Sequence, residues 1–180
     1  MGKILAFAGS NSKTSINYEL VKFVSDQLIE EEVKLIKLTN YDLPMYNINN
    51  EEDNGFPPVL DLLYREIKDA KALIISVNEH NGMISSFFKN VLDWLSRVDR
   101  NFLEGKKVLL MSTSTGPGAA SLARTYVEAA IERYKGEVVS SFGFPSFTDN
   151  FDLEKQEITN ETLLLGVKDT LSNFQQEIAE

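Results

Sequence analysis

The sequence predicts an α/β protein with a doubly wound, five-stranded parallel sheet and helices on both faces, giving three αβα layers. Short apolar runs alternate along the whole chain with segments whose apolar residues recur at helical spacing. The runs are continuous, which is typical of strands buried on both faces. Strands that alternate with helices indicate parallel pairing through right-handed crossovers. For a length of 180 residues we expect one domain, over 1–180.

Each element is predicted from its apolar pattern. Strands are predicted at 3–8, 33–38, 72–77, 107–112 and 137–142. Helices are predicted at 15–30, 59–70, 84–95, 119–134 and 164–178. Residues 39–58 are rich in Asn, Asp and Pro, which predicts a long irregular connection.

Composition excludes several classes of function. The net charge of −9 disfavours nucleic acids and anionic membranes as partners, because both would repel the chain. The absence of cysteine and the single histidine exclude disulfides, thiol catalysis, iron–sulfur clusters and the usual zinc sites. No apolar run approaches the roughly 20 residues that span a bilayer. We therefore expect a cytoplasmic protein without a metal.

Ligands of such sheets bind outside the carboxyl ends of the strands, where the strand order reverses. The first loop there, residues 9–17, is crowded with hydroxyl groups and opens a helix, whose N-terminus favours a phosphate. Gly9 allows the tight turn that this loop needs. Ser and Asn at these positions can instead simply cap the helix and fill the turn. The side chains that can contact phosphate oxygens are Ser10, Ser12, Lys13, Ser15 and Asn17.

The second loop, residues 78–82, follows the third predicted strand. Gly82 permits close backbone approach to a flat ligand, and the amides of 79–83 can bind its polar edge. The Asn81-Gly82 pair also fits an ordinary turn. His80 is the one histidine of the sequence and is a candidate for an acid–base role. Because no carboxylate partner is evident in the sequence, the alternative is that His80 packs on a ligand or faces water.

The third loop, residues 112–118, is built from small residues. Gly116, Gly118 and Ser121 approach a dinucleotide-binding pattern, but its third glycine is missing. The dinucleotide-binding pattern also expects a ribose-binding acidic residue about 20 residues further along, at the end of a strand. The residue found there, Glu137, begins a strand instead. The small residues instead suit a backbone that lies beside a ring system, and a flexible connection is the alternative.

Two motifs at this spacing carry a family resemblance. The first loop matches G-S-x-R-x-x-S-x-N-x-x-L at Gly9, Ser10, Ser15, Asn17 and Leu20. The second loop matches P-E-Y-N-G-S at Glu79, Asn81 and Gly82, and L-K-N-x-x-D-W follows at Lys89, Asn90, Asp93 and Trp94. This pattern resembles the NAD(P)H-dependent FMN reductases, which include azo, quinone and chromate reductases. The resemblance covers nearly the whole chain.

The resemblance implies a flavodoxin-like fold with noncovalent FMN at the three loops. NADPH or NADH would supply hydride, and the acceptor would be a quinone, an azo or nitro compound, a metal ion or free flavin. The cofactor carries this chemistry, so no catalytic side chain is nominated. The cofactor-binding residues would be Ser10, Ser12, Lys13, Ser15, Ile16 and Asn17 at the phosphate, Glu79, His80, Asn81 and Gly82 at the ring, and Ser114, Thr115 and Gly116 on its other side.

The family resemblance also implies a homodimer or homotetramer. Trp94 and Arg97 are candidates for a subunit contact, with a core position for Trp94 as the alternative. Ser12 stands where the family has arginine, Asn78 replaces its proline, and His80 replaces its tyrosine. The third loop lacks the family's arginine and double glycine beyond Gly116.

Two other functions fit the same residues. A flavodoxin-type one-electron carrier suits the acidic charge, although flavodoxins have a different phosphate loop. A flavin-free binding domain of the same fold is suggested by the missing arginine at Ser12.

Overall fold

The computed structural model describes residues 2–179 as an alternation of strands and helices. The strands are β1 (Ile4–Ala8), β2 (Val33–Leu35), β3 (Ala72–Val77), β4 (Glu79–His80), β5 (Met83–Ile84), β6 (Lys107–Thr113), β7 (Glu137–Phe144), β8 (Phe151–Asp152) and β9 (Glu157–Ile158). The helices are α1 (Ile16–Asp26), α2 (Ile48–Asn54), α3 (Pro58–Asp69), α4 (Ser86–Val98), α5 (Ser121–Arg133), α6 (Phe147–Asn150) and α7 (Glu161–Ala179), with a 3₁₀ turn at Leu38–Asn40.

Five strands form one parallel sheet, as the sequence predicts, and the structure gives their order as β2-β1-β3-β6-β7. The order reverses between β1 and β3, so the loops that follow these two strands leave the sheet side by side in opposite directions. The β3–β6 pairing brings the third loop next to them. This topology creates the crevice in which the candidate site lies.

Each face of the sheet carries its own apolar core. Side chains such as Phe7 and Ile75 point to the face covered by α3, α4 and α5. Their sequence neighbours, such as Ala6 and Ile74, point to the face covered by α1 and α7. Successive side chains of a strand alternate between faces, so a continuous apolar run fills both cores at once. The three-layer prediction is confirmed.

Several element boundaries differ from the prediction. The strand β2 ends at Leu35 because it pairs with β1 only over Ile4–Ala6, and the chain then turns to bury Leu38. The strand β7 continues to Phe144, which pairs with Thr113. Ile84 belongs to β5, and α4 begins only after Ser85, whose hydroxyl caps it by accepting from the Phe88 N–H (3.1 Å).

The helix α2 lies in the stretch predicted to be irregular. No residue of α2 is buried, so it lacks the apolar stripe on which a helix prediction depends. Its start is fixed locally, because the Asn47 side chain accepts hydrogen bonds from the N–H groups of Asn49 (2.8 Å) and Asn50 (3.4 Å).

Trp94 is a core residue of this chain, so a role in subunit contact is wrong for it. The side chain is 0% exposed, and its Nε1 donates to the Pro44 carbonyl (2.7 Å). Arg97 lies at the surface and forms an ion pair with Glu51, which holds the pKa of that carboxyl below its ordinary range.

No helix within 2–179 has both the length and the apolar character required to cross a membrane.

Candidate functional site

A polar cleft of about 250 Å³ opens at the strand-order reversal, where all three loops meet. Most of the predicted site residues line it, together with Thr14, Asn78 and Thr113, which were not predicted as cofactor-binding residues. The predicted residues in the cleft are Ser10, Ser12, Ser15, Ile16, Asn17, Glu79, His80, Ser114 and Thr115. The predicted residues Lys13, Asn81, Gly82 and Gly116 do not line it.

The first loop presents hydroxyls and free N–H groups at the start of α1. Ser15 caps the helix, because its Oγ accepts from the Tyr18 N–H (3.2 Å). The next two N–H groups, of Ile16 and Asn17, find no acceptor within the described part of the chain. Ser12 Oγ accepts from the Thr14 N–H (3.2 Å), so the loop is shaped by its own hydroxyls. This end of the cleft is suited to an anion.

Gly9 lies at the bend that ends β1, and packing gives a second reason for a glycine there. It does not belong to the positive-φ glycines of the chain. A Cβ at this position would lie 2.7 Å from Cγ of Phe88, which is 2% exposed. The glycine lets α4 approach the end of β1.

Asn17 is a buried residue of the cleft lining, and both the nitrogen and the oxygen of its side-chain amide form hydrogen bonds. Its Nδ2 donates to the Thr113 carbonyl (3.2 Å), and its Oδ1 accepts from the Thr113 N–H (3.1 Å) and the Ser76 hydroxyl (2.7 Å). These three residues are at most 2% exposed. Asn17 thereby joins α1 to the ends of β3 and β6 and fixes the relative position of the three loops.

The second loop is a two-residue hairpin that connects β4 and β5. Asn81 (φ 53°) and Gly82 (φ 77°) both adopt left-handed backbone, as a type I′ turn requires. The turn lies outside the cleft, whereas Glu79 and His80 on the strand before it line the wall. His80 is exposed, and its Nε2 lies 3.2 Å from Nδ2 of Asn78.

The Glu79 carboxylate caps α5, a contact that no local sequence signal predicts. Its Oε2 accepts from the N–H groups of Leu122 (3.0 Å) and Ala123 (3.1 Å). The cap position of that helix, Ala120, supplies no side-chain acceptor and has left-handed backbone (φ 53°). The carboxylate therefore substitutes for a local cap. It also links the second loop to α5, the helix that follows the third loop.

The third loop is held by the corner between β7 and α6. The carbonyls of Ser114 and Gly116 accept from the N–H groups of Phe147 (3.0 Å) and Ser146 (2.9 Å). Gly116 and Gly118 have no atom within 4 Å of where a Cβ would stand. The third loop is therefore anchored through its carbonyls and has free space around its two glycines.

The chain belongs to the NADPH-dependent FMN reductase family, whose family model matches residues 2–144. It is 40% identical over 88 residues to an uncharacterised protein of Mycoplasma pneumoniae, covering 49% of this chain and 51% of that protein. It is 35% identical over 75 residues to the quinone reductase of Escherichia coli K12, covering 42% of this chain and 40% of that enzyme. The chain thus spans about half or less of these relatives' length.

The fold is flavodoxin-like and is shared with solved flavoenzymes. FerB, a flavoenzyme NAD(P)H:(acceptor) oxidoreductase from Paracoccus denitrificans, superposes with a TM-score of 0.78 at 23% identity, covering 99% of this chain and 98% of that chain. At this identity the likeness concerns the fold alone.

The residues of the cleft fit FMN, the cofactor in the family's description. The hydroxyls and free N–H groups at α1 match a phosphate, which needs donors. Farther along, the Oδ1 of Asn78 is a buried acceptor without a partner within 2–179. A bound group with hydroxyl or N–H donors, as on a ribityl chain or a flavin ring, can satisfy it once the side chain turns. Within the same residues, no cluster of His, Cys, Asp and Glu is arranged to hold a metal ion.

Proposed function

We propose that this chain binds FMN noncovalently in the cleft and transfers hydride from NADPH or NADH to a small acceptor. The observation that carries the proposal is the convergence of the three loops at the strand-order reversal, with the hydroxyl-rich start of α1 at one end. Relatives in the same family are named as quinone and FMN reductases, which supports a quinone-type acceptor.

Within this proposal the first loop holds the phosphate. The α1 N-terminus contributes the N–H groups of Ile16 and Asn17 and the positive end of the helix dipole. The hydroxyls of Ser10, Ser12 and Ser15 add donors. Asn17 serves mainly as a positioning residue, because its amide is already bonded to Thr113 and Ser76.

The other two loops orient the ring and its substrates. Glu79 and His80 of the second loop and Thr113–Thr115 at the third loop line the cleft. FMN held there would supply the hydride-transfer chemistry. The residues contribute mainly by positioning, since stacking the reactants at about 3.5 Å accounts for much of such a rate. Backbone N–H groups near the polar edge of the ring would stabilise negative charge that develops there. No side chain is assigned an acid or base role.

The assembly and location are also proposed. Exposed apolar side chains lie on α2 and its flanks, namely Met45 (69% exposed), Ile48 (54%) and Phe56 (48%). Such a group favours burial against another surface, which supports a homodimer or homotetramer. The cytoplasm is the proposed location. Size-exclusion chromatography with light scattering tests the assembly, and a strictly monomeric protein would contradict it.

The activity is tested by the visible spectrum of the purified protein with FMN, followed by anaerobic NADPH and then a quinone. We expect flavin bands that bleach within the mixing time and return when the quinone is added. A bound flavin that NADPH does not reduce would support the electron carrier instead. A protein that retains no flavin would support the flavin-free binding domain.

A further inference from the structure

Asn78 and His80 form a polar pair in the lining of the cleft. Asn78 follows β3, His80 lies on β4, and both residues line the cleft. The Nδ2 of Asn78 lies 3.2 Å from the Nε2 of His80, within hydrogen-bond distance. At these two positions the family pattern has proline and tyrosine, which cannot form such a pair. The pair is therefore a feature of this chain that the family pattern lacks.

The direction of this hydrogen bond fixes the position of the imidazole proton. An amide nitrogen only donates, so the Nε2 of His80 accepts and carries no hydrogen. A neutral imidazole then carries its proton on Nδ1. At the other end of the amide, the Oδ1 of Asn78 is buried and has no donor within 2–179. This orientation therefore leaves a buried acceptor unpaired, which costs free energy.

The Asn78 amide has a second orientation of nearly the same shape, in which its oxygen and nitrogen exchange places. Oδ1 then faces the Nε2 of His80, and a hydrogen bond forms between them only if Nε2 carries the proton. A carbonyl oxygen has two lone pairs, so Oδ1 can accept from His80 and from a ligand in the cleft at the same time. In either orientation one end of the amide occupies the buried position. A ligand that donates to the other end therefore decides between the two orientations.

We propose that the Asn78 amide turns and the His80 proton moves from Nδ1 to Nε2 when a flavin binds in the cleft. His80 is then a positioning residue, because its Nε2–H holds the Oδ1 of Asn78 where that oxygen accepts from a donor of the flavin. The proton on Nδ1 leaves to water and another arrives on Nε2, so the charge of the ring does not change. The inference rests on the proposed function, and the donor is either a ribityl hydroxyl or a ring N–H.

The chain has a single histidine, so nuclear magnetic resonance can follow the His80 imidazole without interference from another. The nitrogen shifts of the ring and their couplings to the ring protons distinguish the two neutral tautomers. Spectra are recorded without flavin and with saturating FMN, above the midpoint of the imidazole titration that the same spectra show. We expect the Nδ1–H tautomer without flavin and the Nε2–H tautomer with FMN.

Two variants at Asn positions test whether the amide carries this change. Asn78→Leu keeps the approximate volume of the side chain and removes the amide, so the change of tautomer on FMN binding should disappear. The matched control is Asn49→Leu, because Asn49 is exposed on α2 and does not line the cleft. The control should show the same change of tautomer as wild type.

Two variants of His80 test its role through the affinity for FMN, measured by flavin fluorescence. His80→Phe leaves the turned amide without a donor at Oδ1 and should weaken FMN binding by about three- to tenfold. His80→Gln supplies an amide donor and should restore most of the affinity. Because glutamine has no ring, this rescue would exclude ring packing as the cause of the loss.

Lumiflavin, which has the flavin ring but no ribityl chain, identifies the donor. If the donor is a ribityl hydroxyl, His80→Phe should bind lumiflavin as tightly as wild type does. If the donor is a ring N–H, His80→Phe should weaken lumiflavin by the same factor as FMN. Either result supports the inference, provided that His80→Gln restores the affinity that was lost.

The same tautomer with and without bound FMN would overturn the inference, and so would a change of tautomer that persists in Asn78→Leu. Equal losses of affinity in His80→Phe and His80→Gln would also overturn it, because the loss would then come from the ring and not from a donor. Failure of the proposed function looks different: the visible spectrum of wild type with added FMN would show no bound flavin, whichever residue is changed.

Discussion

The side chain of Asn17 pairs with the backbone of Thr113 in both directions, much as two adjacent strand residues do. Its Nδ2 donates to the Thr113 carbonyl at 3.2 Å, and its Oδ1 accepts from the Thr113 N–H at 3.1 Å. The same oxygen accepts from the Ser76 hydroxyl at 2.7 Å. A single amide therefore satisfies buried groups at the ends of two strands and holds the cleft in shape.

Asn17→Ala should lower the free energy of unfolding by about 2 kcal/mol or more, because the Thr113 N–H and the Ser76 hydroxyl would be left buried without partners. Urea denaturation measures the change. Asn54→Ala, on the exposed surface of α2, is the control and should stay within about 0.5 kcal/mol of wild type. Equal stability of the two variants would contradict the role of Asn17 as a link between the loops.

Ser15→Ala should weaken the binding of FMN more than that of riboflavin. The substitution removes a hydroxyl at the proposed phosphate site, at a cost of about 1–3 kcal/mol for a lost bond to a charged group. It also removes the cap of α1, which costs about 1 kcal/mol of stability whichever ligand is present. Fluorescence titration with both flavins separates the two effects. Equal weakening would assign Ser15 to the cap alone.

Glu79→Ala should destabilise the start of α5 by about 1 kcal/mol, because Ala120 offers no side-chain cap in its place. Glu79→Gln keeps an acceptor oxygen and should lose less. Hydrogen exchange at the Leu122 and Ala123 amides reports the change directly. Glu128→Ala, exposed on the same helix, is the control. Unaltered exchange in Glu79→Ala would refute the cap.

Gly9→Ala should destabilise the protein by about 1–3 kcal/mol through overpacking. The added Cβ would lie 2.7 Å from Cγ of Phe88, whose buried ring has little room to move. Gly118→Ala is the matched control, because nothing lies within 4 Å of its Cβ position. Thermal unfolding of the two variants compares them. We expect a lower melting temperature for Gly9→Ala only.

The stability contributed by Glu66 should depend on pH in the acid range. Hydrogen bonds from Lys34 and Lys3 hold the pKa of this carboxyl below its ordinary value of 4.5. A lowered pKa in the folded state stabilises the fold above the ordinary pKa, and the gain is lost as the pH falls through the folded value. Glu66→Gln should therefore be less stable than wild type at pH 7 by up to about 1 kcal/mol, and the difference should shrink below pH 4.5. A difference independent of pH would contradict this.

The parallel sheet and its two covering layers could be predicted from the sequence because their signal is local. Continuous apolar runs such as 72–77 fill both cores, and helical spacing marks the faces of α3 and α4. The helix α2 could not be predicted from such a pattern, because it buries no residue and begins at an Asn cap in a stretch that also suits a loop.

The sequence by itself determined the fold class and the three loops that form the cleft, because topology follows from the alternation of elements and loop position follows from topology. Only the tertiary structure decided what the individual side chains do there. The side chains of Asn17 and Glu79 make their hydrogen bonds to Thr113 and to α5. These contacts join residues far apart in the chain, whose distances are set by the packing of helices on the sheet and leave no periodic mark in the sequence.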